Sequence, residues 1–92
     1  MKNFGDLLLV LKRTRQMLAM PENDFSWSSW EDQKAALDEI DAHIEQVLAG
    51  VVPNIHVLYA PTGPIQEVSL SSGWGHEFIA LADRFDNAMA GT

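Results

Sequence analysis

The sequence predicts a small α+β domain in the order α-α-β-β-α, with a β-hairpin packed on helices. Three observations predict it. Apolar residues recur at helical spacing over residues 3–20 and again from Ser28 to Ala49. Two short runs rich in β-branched residues, Asn54 to Ala60 and Ile65 to Leu70, flank the turn residues Pro61-Thr62-Gly63-Pro64. A third helical period follows the Ser71 to Gly75 turn.

In the first helix Phe4, Leu7, Leu8, Leu11 and Leu18 form an apolar stripe that Val10 and Met17 widen. Asp6 near its start and Lys12, Arg13 and Arg15 near its end suit the helix dipole. Leu9 points away from the stripe, so Leu7 to Leu11 is apolar nearly all round. Such a segment is either central to a fold or covered by a second copy. Pro21 stops the helix, and Phe25 with Trp27 reads as an aromatic plug over one end of the core.

Ser28 and Glu31 make a capping-box pair that starts a second helix, and Gly50 ends it. At 1.5 Å per residue this helix is about 33 Å long. Trp30, Leu37 and Ile44 repeat every seven residues on its inner face, with Ile40 and Val47 between them and Ala36 and Leu48 beside them. Glu31, Asp38 and Glu45 repeat every seven on the other side, flanked by Asp32 and Glu39. That side is an acidic stripe.

The hairpin has two registers. An even loop, Thr62-Gly63 or Pro61 to Pro64, puts Ile55, Val57 and Tyr59 on one face with Val68 and Leu70. A three-residue loop, Pro61-Thr62-Gly63, shifts every partner by one. The even loop gathers the apolar residues and is preferred. In the last helix Trp74 can pack on Ile79 as a staple, Phe78, Leu81, Ala82, Phe85 and Met89 face inward, and Asp83, Arg84 and Asp86 face solvent. An isolated two-stranded hairpin is marginal in water and has two open edges, so it must pack on the helices, and pairing with another copy's hairpin would give a homodimer.

Ninety-two residues, 47% hydrophobic and 21% charged, fit one folded domain over 1–92. The absence of cysteine excludes disulfides, cysteine-ligated zinc, iron-sulfur clusters and thiol chemistry. Leu7 to Leu11 is too short for a signal-peptide core or a membrane span, so a cytoplasmic protein without membrane attachment is expected. Thirteen acidic against six basic side chains leave a formal charge of -7, which repels phosphate backbones and argues against nucleic acid as a partner.

No catalytic or ligand motif stands out, and no cofactor or metal is expected. Ser69, His56 and Glu67 could share the hairpin's outer face, but a catalytic serine needs a strained elbow and oxyanion donors that a plain strand lacks. Glu39 and His43 sit four apart, without the Glu-x-x-His or His-Glu-x-x-His spacings of helical metal sites. Gly73-Trp74-Gly75 ahead of a helix could offer amides to an anion, yet Glu77 already fills the first turn and no lysine follows, so the glycines read as conformational permission.

Two functions from different classes remain. The leading one is a non-enzymatic protein-interaction module, a small adaptor, regulator or immunity-type inhibitor, presenting Glu31, Asp38 and Glu45 with Asp32 and Glu39 to a basic partner or a second copy. Lys12 and Arg13, on the outer side of the first helix, could reach that stripe in another chain. The alternative is a small enzyme or ligand-binding protein whose pocket lies between the hairpin and the last helix, lined by His56, Tyr59, Trp74 and His76.

Overall fold

The structure, a computed structural model, describes residues 4–26, 28–51, 55–60 and 63–90. These form α1 (Phe4–Leu18), α2 (Gln33–Leu48), a single turn α3 (His56–Tyr59), α4 (Pro64–Ser72) and α5 (Gly75–Ala90). No strand occurs among the described residues, which overturns the α+β hairpin expected from the sequence. Pro61 and Thr62 of the expected hairpin turn lie outside them, as do Asn54 and Trp27.

The reason lies in which apolar residues must be buried together. Ile65 and Val68 are both fully buried with Ser69, a spacing of i, i+3, i+4 that a helix puts on one face. Strand alternation would have sent Ile65 to the face opposite Val68. Pro64 then changes meaning. It stands in the first turn of α4, where its fixed φ suits a helix and its missing N–H costs nothing, behind an extended Gly63 at the N-cap. Gly73 at φ 86 closes the same helix in the left-handed conformation, with the Trp74 N–H donating to the Ser69 carbonyl at 2.9 Å. The β-branched residues of this segment are accommodated because burial outweighs a few tenths of a kcal/mol of propensity.

The α1 helix sits where the stripe placed it, with Leu7, Val10, Leu11, Thr14, Met17 and Leu18 buried. It is the central element, packed on α2 along one side and α5 along another, while α3 and α4 close against α5. Its fully buried Val10, Leu11 and Leu18 share one core with Ile40, Ile55, Ile65, Val68 and Phe85. Of the two roles open to the Leu7 to Leu11 segment, the structure gives it the central one, with Leu7, Val10 and Leu11 buried, while Leu9 within it is 55% exposed.

α2 starts later than the capping-box pair suggested. Asp32 is the N-cap, its carboxylate accepting from the Ala35 N–H at 2.9 Å, whereas the Ser28 hydroxyl accepts from the Trp30 N–H at 3.1 Å in the preceding loop. The helix ends at Leu48 with Ala49 as its C-cap, and Gly50 just beyond, at φ 81, lets the Val51 N–H reach the Gln46 carbonyl, while the Gly50 N–H donates to the Val47 carbonyl. α1 and α2 run antiparallel: the Gln33 amide at the start of α2 donates to the Leu18 and Met20 carbonyls at the end of α1, at 3.0 and 3.1 Å.

Elsewhere Phe25 is half-buried against the core, and the Asp24 N–H donates to the Ser72 hydroxyl at 2.8 Å, tying this connection to the end of α4. Trp74 is buried, its indole N–H donating to Asn23 Oδ1 at 2.9 Å, while Ile79, expected to pack on it, is 57% exposed. No helix among the described residues is long and apolar enough to cross a membrane.

Candidate interaction surface

On α2, Ala36, Ile40 and Val47 are buried, and the side turned from them carries the exposed Lys34, Asp38 and Glu45. These residues, together with Asp41 and Leu48, follow the spacing i, i+4, i+7, i+11, i+14 and so run along one line of the helix. Glu31 and Asp32 are exposed in the approach to the helix instead of extending the line, because α2 begins after them. Glu39 lies to the other side, its carboxylate 3.5 Å from the Trp30 indole nitrogen and 3.9 Å from His43 Nε2.

Two members of the line are held by cations. Lys34 Nζ lies 2.6 Å from Asp38 Oδ2, and that hydrogen bond and charge raise the lysine pKa. Arg15 of α1 meets Asp41 through both carboxylate oxygens, Nε at 2.5 Å and Nη2 at 3.3 Å, which likewise raises the arginine pKa. Both pairs are about half or more exposed, so each is worth little to stability. Their effect is geometric: the Arg15 pair joins the adjacent edges of α1 and α2. The outer face of α1 presents Leu9, Lys12, Arg13 and Gln16, at i, i+3, i+4 and i+7, all exposed, with an Arg13 Nη1 to Gln16 Oε1 bond of 3.1 Å.

The residues read as pocket lining do not converge on one cavity. Tyr59 is buried and stacks on Phe85 at 4.3 Å with its ring planes 11° apart, and its hydroxyl meets Thr14 Oγ1 at 2.7 Å. Burial pushes its phenol up to about 12, the Thr14 bond opposing the rise. Exposed His56 sets its ring edge-on to the same Phe85 at 5.4 Å. Trp74 is buried behind Asn23. Only His76 lines an open groove, of about 370 Å³, between α4 and α5, shared with Gln66, Ser69, Leu70, Gly73, Gly75 and Ile79.

Nor do the residues weighed for catalysis meet. Ser69 is buried and its hydroxyl donates to the Gln66 carbonyl at 2.8 Å, while Glu67 accepts from the Ser29 N–H at 3.3 Å. His43 Nδ1 lies 2.9 Å from Gln46 Oε1. Among the described residues no three His, Asp or Glu side chains converge as metal ligands.

Sequence reasoning missed the Arg15–Asp41 pair and the exposure of Leu48, which had been placed beside the inner stripe. The available signal was the seven-residue step from Asp41 to Leu48, which puts both on one line. Comparison with protein-family models, curated proteins and solved structures returned no match.

Proposed function

We propose that this chain is a non-enzymatic protein-interaction module, of the adaptor, regulator or immunity-inhibitor kind, that presents the acidic outer side of α2 to a basic surface. The observation that carries this reading is the exposed pair Asp38 and Glu45 on the outer line of a helix whose opposite side is locked into the core. From Glu31 to Glu45 six carboxylates stand against one lysine. Charge of one sign on a rigid face accelerates and orients encounter with an opposite patch, and most strongly at low salt.

The test is affinity capture by the tagged protein and by an Asp38→Lys, Glu45→Lys double variant from the source-cell lysate. Both positions are exposed and away from the helix caps, so the variant should keep its helical circular dichroism. The expected result is a basic protein, or the chain itself, retained by the wild type at low salt, released as salt rises, and not retained by the variant. Equal capture by both proteins contradicts the proposal.

A second reading, a small-ligand site, is favoured by the α4–α5 groove, whose rim carries Leu70 at 68% and Ile79 at 57% exposure. An apolar fluorescent dye would light up on this groove and lose its signal in Ile79→Glu. A signal that survives the substitution removes this reading.

A further inference from the structure

We propose that the surface fitted to the outer face of α1 and α2 is the same face of a second copy of this chain, in a two-fold dimer. This rests on the reading of α2 as an interaction face and names the basic partner as the α1 helix of the other copy.

The geometry follows from the one cross-helix ion pair. Arg15 and Asp41 fix a common height on antiparallel helices. Stepping from Arg15 toward the start of α1, Lys12 lies about 4.5 Å and Leu9 about 9 Å along the axis. Stepping from Asp41 toward the end of α2, Glu45 lies about 6 Å and Leu48 about 10.5 Å in the same direction. Lys12 is therefore level with Glu45, and Leu9 with Leu48, to within about one helical turn.

A two-fold axis lying in the interface and parallel to the helices preserves these heights and sets α1 of one copy over α2 of the other. Lys12 then meets Glu45 of the second copy, Leu9 meets Leu48 of the second copy, and symmetry makes each contact twice. The charges are complementary: Lys12 and Glu45 are both exposed and oppositely charged. The apolar residues match them, since Leu9 at 55% and Leu48 at 67% are two of the five large hydrophobic side chains found exposed among the described residues. Covering them removes apolar surface from water, a term that opposes the ordering cost of association. The resulting arrangement packs four helices, with α1 and α2 of each copy as one layer.

The test uses sedimentation equilibrium on the full chain. The wild type should dimerise, more weakly as salt rises. Lys12→Glu and Glu45→Lys should each weaken dimerisation by about tenfold or more, and the double swap Lys12→Glu, Glu45→Lys should restore it, because it rebuilds the pair with its signs exchanged. Leu9→Asp should give a monomer with unchanged helical circular dichroism. A monomeric wild type, or a dimer indifferent to both single reversals, overturns the second-copy assignment. The broader acidic-face reading fails separately, if the wild type and the α2 double variant capture the same proteins.

Discussion

Tyr59 shows how a residue read as pocket lining becomes a structural one. Its ring lies flat on Phe85 and its hydroxyl is joined to Thr14, whose own hydroxyl donates to the Val10 carbonyl at 2.8 Å inside α1. Because the folded phenol titrates near 12 against an ordinary 10.0, its contribution to stability is complete below pH 10 and is lost as pH rises from 10 to 12. At about 1.4 kcal/mol per pH unit, that is about 3 kcal/mol. Urea melts across this range should show the loss in the wild type and a shallower one in Tyr59→Phe, which at pH 7 should cost about 1 kcal/mol for the lost hydroxyl contact. An identical alkaline decline in both proteins would contradict the burial of this group. Trp30, 7% exposed, is the corresponding anchor at the foot of α2. Trp30→Ala should cost about 3–5 kcal/mol in the same melts, and a cost below about 1 kcal/mol would place it on the surface.

At the scale of elements, the long helices were legible and the short ones were not. The stripes of α1 and α5 and the stop at Gly50 stand in the sequence because many residues repeat one period and a glycine must take positive φ where it ends. Between Asn54 and Leu70 the runs are too short for period 2 and period 3.6 to be told apart by pattern, and the turn residues served either structure. Pro64 is the case in point, a hairpin-loop residue in one reading and a first-turn helix residue in the fold. Of the candidate surface, Asp38 and Glu45 were legible from their spacing, whereas the link from Arg15 to Asp41 depends on how two helices pack and left no local trace. The ends of the elements can be tested singly. Asp32→Ala should cost about 1 kcal/mol through the lost N-cap bond, while Ser28→Ala should cost clearly less. A reversed order would move the start of α2 back to Ser28. Gly73→Ala should cost about 1–2 kcal/mol from backbone strain alone, since an added Cβ there meets nothing within 4 Å.

For the whole molecule, the core and the outer surface divide the work. α1 serves both: its buried side is packed against α2 and α5, and its outer side carries the cations Lys12 and Arg13, where the line on α2 carries three carboxylates and one lysine. Within one chain both outer sides are turned from the core. The proposed dimer sets them against one another, pairing Lys12 with Glu45 and Leu9 with Leu48 of the second copy. The most direct measurement is an amide chemical-shift map of the labelled chain recorded from millimolar to low micromolar concentration. Shifts that change with dilution should centre on Leu9, Lys12, Gln16, Glu45 and Leu48, and should weaken with added salt. Concentration-dependent shifts centred instead on Leu70 and Ile79, or none at all, would contradict the account.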